Sequence, residues 1–145
     1  MKKLSSITIG VFLFIAIACK KESTPGSTPV PPPPIDTSTS AIKYTGMFEN
    51  GPYGTATGTA KIVESNGKYS LRLEGFRVSS GPDLKVYISK EKQPLNFIRL
   101  GNLQALSGDQ AYSIPGNPDF MEYRYALIHC ERFNHLFGSA LLMEK

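Results

Sequence analysis

The chain has 145 residues, with 16 lysines and arginines, 12 aspartates and glutamates, and two cysteines. Four of those bases (Lys2, Lys3, Lys20 and Lys21) and two of the acids (Glu22 and Asp36) precede residue 41, so the remainder is close to neutral. A near-neutral remainder with no basic stripe and no nucleic-acid motif argues against a nucleic-acid partner, and two cysteines are too few for a disulfide-built scaffold.

The first predicted element is an export signal over residues 1–18. Lys2 and Lys3 precede an apolar run at residues 7–18 that ends in Ala16-Ile17-Ala18-Cys19. A membrane-spanning helix needs about 20 apolar residues, so this run has the length of a signal-peptide core rather than of a permanent span. Small residues leading into a cysteine resemble a bacterial lipobox, which makes Cys19 the expected lipidation site. The lipid would hold the protein to the membrane, since two acyl chains already anchor stably. The charged Lys20-Lys21-Glu22 after it points to the outer membrane or cell surface rather than the inner membrane. Residues 19–40 are, after Lys20-Lys21-Glu22, mostly Ser, Thr, Pro and Gly with almost no large apolar residue, and include the proline run 31–34. Such a composition cannot bury enough apolar surface to offset its ordering entropy, and proline favours extended polyproline II. This stretch is expected to be a disordered tether.

Residues 41–145 have the size of one domain and read as all-β. Tyr69, Leu71 and Leu73 alternate with Ser70, Arg72 and Glu74; Leu84, Val86 and Ile88 alternate with Lys85, Tyr87 and Ser89. Period-two alternation puts apolar side chains on one face and polar ones on the other. Further strands are expected at 54–64, 97–100, 111–114, 123–130 and 136–143. Asn66-Gly67 reads as a hairpin turn, because both residues tolerate positive φ, and the segments 80–83, 107–109 and 115–119 read as turns. Turn residues at roughly ten-residue intervals predict an antiparallel β-sandwich or barrel-like domain of about eight short strands.

With Cys19 lipidated, Cys130 is the one thiol left to an exported domain, in a compartment where cysteines usually pair. Ala126, Ile128 and Cys130 alternate on one face, which allows Cys130 to be plain core. It could instead be a redox thiol or a metal or haem ligand. A dithiol mechanism within the chain is excluded, because there is no C-x-x-C, but a single thiol can pass through a sulfenic acid or a mixed disulfide. A dyad with His129 is disfavoured, since adjacent strand residues point to opposite faces and His129 belongs with Tyr123, Tyr125 and Leu127. Cys130, His135 and Met143 have the residue types of a blue-copper site, yet the spacing to Met143 is long and no histidine precedes His129, so copper is disfavoured and no metal site is assigned. His129 and His135 are candidate axial ligands for a non-covalent haem. Asp83 and Asp119 are explained by turn chemistry, and the glycine-rich 54–60 segment lacks the Lys and helix of a phosphate loop.

Several segments occur in an order that resembles the DM-thirteen domain family. They are Gly58-Thr59-Ala60, Leu71-Arg72-Leu73-Glu74-Gly75-Phe76, Ser80-Gly81-Pro82-Asp83-Leu84-Lys85-Val86-Tyr87-Ile88, Leu100-Gly101-Asn102-Leu103, Gly108-Asp109-Gln110-Ala111-Tyr112-Ser113-Ile114-Pro115 and Ile128-His129-Cys130-Glu131-Arg132-Phe133. The resemblance implies an extracellular electron-transfer domain whose cysteine, here Cys130, is the redox centre, either as a bare thiol or through a group such as haem. The expectation is a lipid-anchored cell-envelope protein with a redox or electron-transfer role and a redox or envelope protein partner. No substrate-converting active site is evident. The alternative is a non-catalytic envelope binding or adhesion module in which Cys130 is a buried core residue.

Overall fold

The protein is seen in a computed structural model, which describes residues 40–145. The predicted signal, Cys19 and all of the tether but Ser40 lie outside the described residues. Nine strands follow one another: β1 (Ala41–Asn50), β2 (Ala56–Ser65), β3 (Lys68–Val78), β4 (Leu84–Ser89), β5 (Phe97–Asn102), β6 (Gln110–Ile114), β7 (Tyr125–Cys130), β8 (His135–Leu141) and β9 (Met143–Glu144). Eight of them form an antiparallel path in the order β5-β4-β7-β8-β1-β2-β3-β6, and β9 pairs beside it with β1. The sheet curls into a nearly closed barrel, as the turn spacing predicts.

The long hairpin β2–β3 turns at Asn66 (φ 51°) and Gly67 (φ 70°). Both residues sit in the left-handed region that the Asn-Gly pair accepts. Nine register pairs follow from Ser65↔Lys68 to Ala56↔Val78, broken by a bulge between Thr57 and Thr59. Gly58 sits in that bulge at φ 108°, where a Cβ would lie 2.7 Å from the Phe76 Cα. Gly58 therefore serves close packing against β3.

Strand β1 joins the two halves of the sheet. Its first part pairs with β2 and β9, and Phe48–Asn50 pair with β8. No strand is predicted over residues 41–50, and the reason is physical. Gly46 interrupts the apolar pattern, because the backbone of Leu141 and Leu142 crosses there between β8 and β9. The predicted single strand 136–143 is accordingly split into β8 and β9 at Leu142.

The path's free edges, β5 and β6, meet through side chains rather than a ladder. Gln110 Oε1 accepts from the Tyr112 hydroxyl (2.6 Å) and from the Gln104 N–H (3.2 Å), and Gln110 Nε2 donates to the Ala105 carbonyl (2.8 Å). Gln104 Nε2 donates to the Ala111 carbonyl. Gln110 is buried, and this network satisfies its amide, which would otherwise be costly inside the protein.

Within the barrel, Ile62, Leu71, Leu73, Phe76, Val86, Ile88, Ala126, Ile128 and Cys130 form one continuous core with Phe48, Leu84, Tyr112, Phe120 and Phe137. The expected apolar face of β4 is part of it. Its expected polar face is not solvated, however: all six residues of β4 are buried. The 90–96 loop folds back over part of that face, with the Ser89 hydroxyl donating to the carbonyls of Gln93 (3.0 Å) and Asn96 (3.1 Å), and Lys92 reaching Glu49 on β1. A second, smaller cluster of Tyr87, Leu127 and Leu136, with Tyr125 against it, lies apart from the main core.

Candidate functional site

Strand β7 distributes the predicted site residues. Ala126, Ile128 and Cys130 belong to the barrel core. Leu127 belongs to the outer cluster, and His129 packs beside it with its ring 5.7 Å from that of Tyr87. His129 and Cys130 therefore diverge as strand geometry requires. The bulge at this point lies on β8, where Ile128 pairs with Gly138 and His129 with Leu136. That irregularity turns Phe137 into the core and does not bring His129 to the thiol. Tyr125 and Leu127 are neighbours of this outer face as expected; Tyr123 instead packs against the main core, and Tyr87 takes its place.

Cys130 is fully buried, with no exposed surface, and is the free cysteine of the described residues. Its cross-strand partners are Leu84 on β4 and His135 on β8. Directly opposed residues share a face of a ladder, so Cys130 and His135 issue from the same side of the sheet at one end of the barrel. The β7–β8 turn that sets this pairing closes through Asn134 at φ 54°, a left-handed conformation that Asn accepts more readily than other side-chain-bearing residues.

The Gly51–Gly54 loop closes over this end. The Gly51 N–H donates to the Phe137 carbonyl (2.8 Å) and the Tyr53 N–H to that of Leu136 (3.3 Å). The Tyr53 ring stacks on His135 with centroids 3.6 Å apart and planes 2° from parallel, and Phe133 lies 5.9 Å from His135. Phe133 is 57% exposed, so it is a surface residue and not a seal over the thiol. Leu84 is the ladder partner of Cys130, and Leu84 and Phe137 belong with it to the main core. A Cβ on Gly81 would meet both of their side chains, and one on Gly54 would meet the Phe137 ring.

The outer cluster is polar at its margin. The buried Tyr87 hydroxyl donates to Glu131 Oε1 (2.6 Å), and Arg99 Nε reaches the same oxygen at 3.1 Å. Phe97 stacks on Tyr87 at 4.3 Å. Lys85 Nζ bonds Asp83 at 2.5 Å and Asn102 at 2.8 Å, and the Lys85 bond holds the Asp83 carboxyl below its ordinary range. Burial, and then the bond to Glu131, push the Tyr87 phenol well above its ordinary value. Asp119 does turn work, accepting from the Met121 N–H.

Burial lowers the His129 imidazole below its ordinary 6.5, against an opposing hydrogen bond donated to Asn134, and its Nδ1 has no partner. An unfolded histidine takes up a proton near 6.5 while the folded one resists, so below that pH the unfolded state binds more protons and stability falls. Denaturant midpoints should therefore drop as pH is lowered from 6.5 through the depressed folded value. His129→Phe should lose less between pH 7 and pH 5 than the wild type does; equal losses in both proteins would remove His129 as the cause.

Neither of two cavities among the described residues contains Cys130, His129 or His135. One, of about 330 Å³, lies between residues 81–85 and 102–106. The other, of about 170 Å³, involves Tyr44, Phe120 and Met143. An axial haem ligand must face the space that holds the macrocycle, and His135 faces the Tyr53 ring instead, so these residues do not fit a haem. Among the described residues no three of His, Cys, Asp and Glu converge on a point. Met143 is exposed on β9.

Sequence reasoning missed the Tyr87–Glu131 pair. Its partners are 44 residues apart, and only the register Tyr87↔Leu127 across β4 and β7 brings them together. The available signal was the alternation Lys85, Tyr87, Ser89, which marks a polar face but not what lies against it.

The family model described as Electron transfer DM13 matches residues 47–142, a span running from β1 to the end of β8 and including Cys130. No curated protein and no solved structure matches the chain. With well over half of its length covered by that model, the chain belongs to the electron transfer DM13 family.

Proposed function

We propose that this protein is a lipid-anchored electron-transfer domain of the cell envelope, held to the outer membrane or cell surface through Cys19, with Cys130 as its redox group. The observation that carries the reading is the match of the electron transfer DM13 family model over residues 47–142, a span that holds Cys130, the free thiol of the described residues. A peroxide is small enough to reach such a thiol through brief opening of the loop above it. The peroxide O–O bond breaks, one oxygen bonds to the sulfur to give a sulfenic acid, and the other leaves as water. No second thiol lies among the described residues to condense with it, so the sulfenic acid persists until a partner thiol arrives. That thiol attacks the sulfur, water leaves, and a mixed disulfide forms. A second partner thiol then restores Cys130 and departs in a disulfide. Two electrons have moved from thiols to peroxide.

The exposure of Tyr53 and Phe133 around His135 favours a second reading, a binding or adhesion module in which Cys130 is only core. One experiment separates the two. Peroxide consumption supported by a small thiol should be catalysed by the protein and lost in Cys130→Ser, whose buried hydroxyl costs about 1–3 kcal/mol of stability but leaves the fold intact by circular dichroism. Equal consumption by both proteins, or none above background, assigns Cys130 to the core.

A further inference from the structure

We infer that Tyr87 is a redox-active phenol with Glu131 as its proton acceptor. The ring is buried at 2% exposure, its hydroxyl donates to Glu131 Oε1 at 2.6 Å, and that oxygen is ion-paired with Arg99 at 3.1 Å. A phenol in low dielectric cannot lose an electron and keep its proton cheaply, because the cation radical would be an unpaired buried charge. A carboxylate already bonded to the hydroxyl removes that obstacle. On oxidation the electron leaves to a one-electron, metal-centred oxidant, the O–H bond breaks, and the proton crosses the existing hydrogen bond to Glu131. Tyr87 is left as a neutral radical and Glu131 as a carboxylic acid. Return of one electron reverses both transfers.

A route to the surface is built in. Phe97 stacks on Tyr87 at 4.3 Å and is 41% exposed, so an oxidant resting on Phe97 lies one ring away from the phenol. Asp83 and His129 also border Tyr87, together with Arg99 and Glu131. His129 is the buried imidazole with an unpartnered Nδ1, and the Glu131 carboxylate is the group that is already bonded. Neither Tyr87 nor Glu131 is Cys130, and Cys130→Ser leaves the pair in place, so failure of the thiol reading and failure of this one are separable.

The test is photo-oxidation of the full chain by flash-generated tris(bipyridyl)ruthenium(III), followed through the optical and paramagnetic signatures of a tyrosyl radical. The chain has seven tyrosines, and Tyr53 is exposed, so a Tyr53→Phe background is used. Tyr87→Phe in that background should abolish most of the fast radical signal. Glu131→Gln should slow radical formation by about a hundredfold, the scale of a positioned base, and should remove the slowing otherwise seen in heavy water. Radical yield unchanged in Tyr87→Phe, or a formation rate unchanged in Glu131→Gln, would overturn the inference. Glu131→Gln carries the test by itself should Tyr87→Phe fail to fold.

Discussion

Gly46→Ala should destabilise the domain by about 3 kcal/mol, at the upper end of what overpacking costs. Gly46 pairs with Ala60 on β2, and on its other side the chain crosses from β8 to β9. A Cβ there would sit 2.7 Å from the Leu141 carbonyl carbon and 3.3 Å from the Leu142 nitrogen. These are backbone atoms, so no rotamer change relieves the clash. The β8–β9 junction would have to move, and β1 is held to it on both sides by Phe48↔Ala140 and Thr45↔Met143. Domains of this size have about 5–15 kcal/mol in total. The expected loss lowers the melting temperature by roughly 15 °C. A calorimetric scan showing a fall of less than about 5 °C would mean the junction yields easily and does not tie the two halves of the sheet together.

Phe137→Ala should combine a large stability loss with exposure of the thiol. The Phe137 ring lies in the core against two glycines, Gly54 and Gly81, and neither can extend into the space it would leave. Poor collapse puts the cost at about 3–5 kcal/mol. The cavity opens at the end of the barrel where Leu84, the ladder partner of Cys130, also borders Gly81. Alkylation of Cys130 by a small maleimide, measured under conditions where the variant is folded, should accelerate at least tenfold over the wild type, equivalent to about 1.4 kcal/mol less protection. Unchanged alkylation beside a large stability loss would show that another element covers the thiol.

How far the sequence reaches follows from where its pattern is local. The alternation of Leu84, Val86 and Ile88, the Asn66-Gly67 turn and the inward set Ala126, Ile128 and Cys130 are each fixed by near neighbours, and each appears in the fold as read. Strand β1 was illegible because it changes partner midway and carries a glycine where another backbone crosses. The burial of Lys85, Tyr87 and Ser89 was illegible for a different reason. An alternating strand reveals two faces but not what covers the polar one, and here the cover comes from Phe97, Glu131 and the 90–96 loop. For the same reason the separation of His129 from Cys130 could be read from β7 alone, whereas the stacking of Tyr53 on His135 depends on a distant loop. The family resemblance pointed to Cys130 and the alternation on β7 allowed it to be core, while only the folded barrel shows that no surface of it is exposed.

The role of Cys130 is tested most directly by mass. The protein is treated with peroxide, then with a dithiol reductant, and its peptides are weighed at each stage. Exposed Met47, Met121 and Met143 will also gain oxygen, but a thioether sulfoxide survives such a reductant, whereas a sulfenic acid does not. Reversible gain of one oxygen at residue 130, with the native circular dichroism spectrum retained throughout, is the predicted result. Oxygen confined to the methionines, with the Cys130 peptide unchanged at every stage, would contradict a redox role for the thiol.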